Sequence, residues 1–303
     1  MTLFKKANTD LKKLEAIAFK TEKEMQTITE NNLEEIFDLN FVGSEIQLRD
    51  LRIDTLAFDA EVNAFIIIEF KNTRNYSVID QGYAYLSLLL NNKAEFILEY
   101  NENKDKTLNR GDIDWSQSKI IFMAPEFTKH QKQAMGFQNI PFELWEIKRY
   151  DNNLINYNKL SVFGSRASIE TISRDNENVD KVSREIKVYD EEYHLEGKPA
   201  KIEELYEVLK NRILNFGEDI TIKPRKHYIG FKKDSNFVDI HLQKSQIKLW
   251  LNLEYGSLED PREIARDMSD IGHWGNGDYE IKIGPDDDLD YLMTLIKQSY
   301  KKA

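Results

Sequence analysis

Asp54 and the tripeptide Glu69-Phe70-Lys71 are the residues whose types and spacing could do chemistry together. Asp54 lies in an alternating segment, residues 51–58, among apolar neighbours; Glu69 and Lys71 close the run Phe65-Ile66-Ile67-Ile68, which reads as a strand buried on both sides. Burying a charge costs on the order of several kcal/mol unless it is paired or binds a metal. Side chains two apart on a strand share a face, so Glu69 and Lys71 point together, and a hairpin through the polar turn 59–63 can bring Asp54 opposite them. Two carboxylates and an ammonium then converge. That set suits a cation of the Mg²⁺ type, which takes oxygen from one or two carboxylates plus substrate phosphate. A solvated Glu-x-Lys pair at a strand end would serve no such purpose, and the tripeptide alone does not separate the two readings.

The rest of the composition narrows the chemistry. The chain of 303 residues has no cysteine, which removes disulfides, thiolate zinc sites, iron–sulfur clusters and thiol nucleophiles, so a metal site must use oxygen or histidine. With 42 basic and 53 acidic residues the net charge is −11, which argues against coating nucleic acid through the overall field and leaves room for a local basic groove. Apolar stretches are far shorter than the roughly 18 residues that span a bilayer. The expectation is a cytoplasmic protein with no membrane partner.

The elements that must position these residues are legible as patterns. Residues 10–28 carry Leu11, Leu14, Ile17, Ala18, Met25 and Ile28 at helical spacing, and Thr29 then reads as the cap of a second helix with Glu30 and Glu34 on one face. Strands are expected at 51–58 and 64–71, a helix at 80–90, a strand at 119–124, a helix at 127–137, and strands at 142–150 and 154–158. Residues 164–196 are polar and lack a sustained period, so a linker is placed there, between a mixed α/β domain at 1–163 and a smaller α+β domain at 197–303. In that second domain a helix at 202–216 precedes four strand-like runs and helices at 261–268 and 289–300.

The order of the whole set in the first half is Glu30-x-x-Leu33-Glu34, then Arg52-Ile53-Asp54, then Glu69-x-Lys71, then Gln81-x-x-x-Tyr85. This resembles the PD-(D/E)XK nucleases, in particular the branch of RecB-type nuclease domains and NucS-like mismatch endonucleases, over roughly residues 10–160. The prolyl position of the motif is Ile53 here. The resemblance implies a restriction-endonuclease-like mixed sheet and a nuclease dependent on Mg²⁺ or Mn²⁺. Asp54 and Glu69 would bind the metal with the Phe70 carbonyl as a third ligand, and Lys71 would orient water and stabilise charge on the phosphate. Gln81 would sit beside the metal, and Tyr85 would pack or contact the substrate backbone. Glu30 would be the helical acid, with Glu34 as the other choice. The implied partner is nucleic acid, DNA ahead of RNA, in repair, restriction or phage defence; a homodimer is compatible with it. A binding module that keeps the fold without cleavage is the alternative.

The second half resembles an uncharacterised bacterial C-terminal domain family, sometimes labelled as predicted transport proteins, which names no chemistry. Its most suggestive stretch is 223–233, where Arg225, Lys226, Lys232 and Lys233 could position phosphates and the interleaved Tyr228 and Phe231 could stack on bases or else face the core. Trp250, Trp274 and the glycine-rich tract 272–278 could line a pocket or form a turn. Asp286-Asp287-Asp288 reads as a helix cap, and His130, His194 and His241 read as isolated.

Overall fold

The chain opens with a hairpin, β1 (Phe4–Ala7) and β2 (Asp10–Lys13), and a short strand, β3 (Ala16–Ile17). The helical spacing of 10–28 therefore yields strands over its first part: Leu11 and Ile17 are exposed, so those apolar positions form no buried face. The structure is a computed structural model and describes residues 3–49, 51–72, 77–135, 139–160 and 177–303. By internal contacts the chain divides into two units, Met1–Val188 and Tyr189–Ala303.

In the first unit α1 (Glu22–Glu30) starts at Thr21, whose hydroxyl accepts the Glu24 N–H. Thr29, expected to cap a following helix, is buried inside α1, and α2 (Leu33–Phe37) begins after Asn32; Glu30 and Glu34 thus lie on different helices. Next come β4 (Asn40–Leu48), β5 (Leu51–Asp59), β6 (Ala64–Phe70), α3 (Val78–Asn91), α4 (Lys93–Asn103), β7 (Lys119–Ala124), α5 (Lys129–Ala134), β8 (Phe142–Tyr150), β9 (Leu154–Lys159) and α6 (Glu177–Glu185). The main sheet runs in the order β3-β8-β7-β6-β5-β4, with β9 paired to β8. Its centre, β6-β7-β8, is parallel, and β4-β5-β6 is an antiparallel meander.

Every residue of β6 is buried, which explains its unbroken apolar run. On one face Ile66, Ile68 and Phe70 pack with Met25 of α1 and Leu33 of α2. On the other Phe65 and Ile67 pack with Leu86 and Leu89 of α3 and Phe96 of α4. Val179, Val182 and Ile186 join that second core. The segment 164–196 is therefore not an aperiodic linker where it is described: its three apolar residues recur at i, i+3 and i+7, too sparse a stripe to stand out among charges. Residues 164–176 lie outside the described residues, as do 136–138 at the end of the expected 127–137 helix.

In the second unit α7 (Glu191–Leu195) and α8 (Ala200–Leu214) precede β10 (Thr221–Pro224), β11 (Ile229–Lys232), β12 (Asn236–Leu242), β13 (Ile247–Leu251), β14 (Arg266–Asp267), β15 (Tyr279–Ile283) and α9 (Leu289–Lys302). The antiparallel sheet runs β10-β11-β12-β13-β15-β14. Ile202, Leu205, Leu209 and Ile213 of α8 and Leu292, Leu295 and Ile296 of α9 share one core with Phe231, Ile240 and Leu249 of the sheet, an α+β arrangement. Residues 261–268, expected to be helical, instead end in the short strand β14, where Met268 donates its N–H to the Asp278 carbonyl.

Candidate active site

The pairing of β5 with β6 sets Thr55 opposite Ile68, which brings Asp54 to the level of Glu69. Asp54 Oδ2 accepts the Phe70 N–H at 2.9 Å, so the aspartate is tied to the strand that carries the other carboxylate. Glu69 is 2% exposed. Its Oε1 takes three donors or near-donors: Lys71 Nζ at 2.7 Å, Gln81 Nε2 at 3.1 Å and the Tyr85 hydroxyl at 3.1 Å. Its Oε2 is buried and has no hydrogen-bond partner. The two oxygens of one carboxylate are thus set apart, one saturated and one open.

The electrostatics follow from that burial. Loss of solvent, and then the neighbouring Asp54 charge, push the Glu69 carboxyl up to about 7, against the pull of Lys71 and Tyr85. Burial also raises the Asp54 carboxyl, opposed by the Phe70 N–H and Lys71 and reinforced by Glu45 and Glu22. A buried and a half-buried acid that resist ionisation side by side are what a divalent cation would relieve. The donor set is all hard oxygen, and the open Oε2 is a buried lone-pair donor awaiting a partner, so Asp54 and Glu69 suit Mg²⁺ or Mn²⁺. Among the described residues no group of three or more His, Asp or Glu side chains gathers as a metal site, so backbone carbonyl, water or substrate oxygens would have to complete the shell.

Helix α3 supplies the second layer. Ser77 caps it by accepting the Asp80 N–H, and Gly82 lets it sit close to β8: a Cβ there would fall 2.5 Å from the Phe142 ring. The spacing of Gln81 and Tyr85 then aims both at Glu69. Of the two roles expected for Tyr85, packing is the one its position matches. It is 4% exposed and its hydroxyl also lies 2.8 Å from the Arg52 carbonyl, so it packs between the Glu69 carboxylate and β5. Burial and the Glu69 charge hold its phenol well above the usual range.

Glu30 is placed differently from the expectation. Its Oε1 accepts the Thr55 hydroxyl at 2.6 Å and Gln26 Nε2 at 2.9 Å. Thr55 follows Asp54 on the strand and so turns to the opposite face, the α1 side, away from Glu69 and α3. Glu34 is exposed on α2. The α1 acid whose charge acts on Asp54, as the weakest of the contributions to its shift, is Glu22 in the first turn: its Oε1 accepts the Asn72 N–H at 2.6 Å, next to Lys71. The helix start missed in the sequence hid it, because Thr21-x-x-Glu24 is a capping pattern that marks this turn.

In the second unit Arg225 and Lys226 sit in the turn between β10 and β11 and are half-buried, and Lys232 ends β11. Lys233 Nζ lies over the Tyr300 ring. Tyr228 and Phe231 are buried, so neither can stack on a base. The histidines are not isolated. His227 stacks on Trp274 with ring centroids 4.6 Å apart, His241 meets the same indole edge-on, and His273 stacks on Trp250. His194 and His241 bond to the carbonyls of Arg225 and His227, and burial holds both below the ordinary histidine value. Trp274 is exposed while Trp250 is buried beneath Gly275, so the two indoles do not line a common surface. Asp288 caps α9 by accepting two N–H groups.

A family model described as a domain of unknown function (DUF5655) matches residues 191–303. An "Uncharacterized protein" of Haemophilus influenzae is 47% identical over 301 residues, covering 99% of this chain and 100% of the relative. The chain belongs to the family of that protein. Two solved structures are similar to parts of it. One is a repair endonuclease from Pyrococcus abyssi, at 20% identity and a TM-score of 0.29 over 43% of this chain and 49% of that one. The other is an EndoMS–dsDNA complex, at 19% identity and a TM-score of 0.28 over 44% and 47%. The matched region spans about half the length of each of these solved chains.

Proposed function

We propose that the first unit is a metal-dependent nuclease that hydrolyses phosphodiester bonds, with DNA as the substrate. The observation that carries this reading is the split Glu69 carboxylate: Oε1 is fixed by Lys71, Gln81 and Tyr85 while Oε2 stays buried and unpartnered beside Asp54. Asp54 and Glu69 would hold the divalent ion, with the Phe70 carbonyl as the third protein ligand. When bound, that ion would neutralise charge on the phosphate and make water a better nucleophile.

The chain's own residues do the rest. Lys71 is only 17% exposed at its side chain, and its ammonium, held 2.7 Å from Glu69, adds a fixed positive charge where the phosphate oxygens gain negative charge. Gln81 and Tyr85 keep Glu69 in one orientation. Glu22, in place of Glu30, is the helical acid of the reading, anchored through Asn72 at the end of the motif strand. The second unit is assigned to substrate or partner selection.

The test is nicking of supercoiled plasmid by the full chain and by Lys71→Ala, with Mg²⁺, with Mn²⁺ and with a chelator. Cleavage that needs the divalent ion and falls at least about a hundredfold in the variant supports the reading. Equal cleavage by both proteins, or cleavage indifferent to chelation, rejects it. A folded wild type that binds DNA without cutting it points to a binding module on the same fold.

A further inference from the structure

The hairpin β1–β2 stands apart from both cores. Every residue of both strands is exposed, with Phe4 at 52% and Leu11 at 63%. A lone two-stranded ribbon is marginal in water without a face to bury. Its base is held where Leu14, buried, donates its N–H to the Leu3 carbonyl, and its tip turns through Asn8 at φ 55°, a conformation asparagine tolerates.

The register makes the ribbon stranger still. Lys5 lies directly opposite Lys12, Phe4 opposite Lys13 and Lys6 opposite Leu11. Like charges facing each other across a strand pair are destabilising. By alternation Lys5 and Lys12 occupy one face, and Lys6 and Lys13 the other. Among the described residues none of these four lysines has a carboxylate partner, in a chain whose net charge is −11. Unpaired lysines concentrated on both faces of an uncovered ribbon, on an acidic protein, describe a surface completed by a polyanion.

We infer that this ribbon, residues 4–13, is a binding element for duplex DNA that enters the major groove. A two-stranded ribbon fits that groove, about 12 Å wide, and a four-residue strand reaches about 13 Å, enough to cross it. Lys6 and Lys13 share a face with Phe4 and Leu11 and would enter the groove with them, while Lys5 and Lys12 on the outer face would reach over to the flanking phosphates. Phe4 and Leu11 are placed to meet the apolar parts of base edges. The inference rests on the nuclease reading only for the choice of DNA among polyanions, and a binding measurement without divalent ions keeps the two apart.

The experiment is a fluorescence anisotropy titration of a labelled duplex in EDTA at several salt concentrations. It compares the full chain, a variant with Lys5, Lys6, Lys12 and Lys13 changed to Gln, and one with the same four changed to Arg. The Gln variant should bind at least about tenfold more weakly, and its log–log salt slope should fall by up to about 3.6, since each of four phosphate contacts contributes about 0.9. The Arg variant should keep wild-type affinity and slope. Thermal unfolding should show the Gln variant as stable as wild type, because removing opposed charges does not harm the ribbon.

Equal affinity and slope in wild type and Gln variant overturn the inference, as does a wild type that binds no duplex. Tighter binding of a single strand of the same length rejects the groove fit. Loss of binding to phosphatidylserine vesicles with duplex binding untouched assigns the ribbon to a membrane surface instead. A wild type that binds duplex through the ribbon but never cleaves in Mg²⁺ keeps this inference and removes the nuclease reading.

Discussion

At the scale of single residues the site turns on Glu69. Its folded value of about 7 lies above the ordinary 4.5, so the folded protein holds a proton there that the unfolded chain gives up. The stability this contributes is fully present below about pH 4.5 and is lost as pH rises through 7. Thermal unfolding of the metal-free protein should therefore show a midpoint falling by a few degrees across this window, and Glu69→Gln should flatten that part of the profile. A second outcome separates the two helical acids. Glu22→Gln should reduce cleavage by about tenfold or more with the fold intact. Glu30→Ala should leave cleavage largely in place and cost about 1 kcal/mol of stability, because Thr55 and Gln26 each lose a partner. The reverse pattern would return Glu30 to the site. Asp54, Glu69 and Lys71 were legible as one constellation because strand alternation fixes which side chains share a face, whereas Gln81 and Tyr85 were singled out by the family resemblance. Glu22 and the true position of Glu30 were not, since a helix start shifted by a dozen residues moves every acid on it.

At the scale of elements, α3 must approach the sheet closely for Gln81 and Tyr85 to reach Glu69. Gly82 makes that approach possible. Gly82→Ala places a methyl group in the Phe142 ring, so it should destabilise the protein by about 1–3 kcal/mol and lower cleavage together with stability, measured by denaturant unfolding and nicking on the same samples. Unchanged values for both would mean that the ring yields without moving α3. The buried run of β6, the alternation of β5 and the helices α3 and α8 were legible because burial leaves a periodic trace in apolar residues. β4 was missed: Gly43, Ser44 and Gln47 interrupt its pattern, and it is an edge strand with a bulge between Phe41 and Gly43. β2 and β3 were misread as the start of a helix because the exposure of Leu11 and Ile17 leaves their apolar spacing without a buried face, and β1 was not anticipated.

At the scale of the whole molecule, each unit has its own core, and the unit boundary at Val188 lies close to residue 191, where the family match begins. Residues 189–303 expressed alone should unfold in one cooperative transition, monitored by circular dichroism, and a non-cooperative melt would show that the unit depends on the first. In the proposed nuclease the first unit supplies the chemistry, with Asp54 and Glu69 together holding the ion that drives hydrolysis. The most direct measurement is the initial rate of Mg²⁺-dependent cleavage of duplex DNA by wild type and Glu69→Gln, a substitution that keeps the shape and the Oε1 contacts but takes the anionic oxygen away. On this assignment wild type should cleave robustly and the variant at least about a thousandfold more slowly, with unfolding midpoints within a few degrees of each other. Cleavage at the wild-type rate by Glu69→Gln would contradict it.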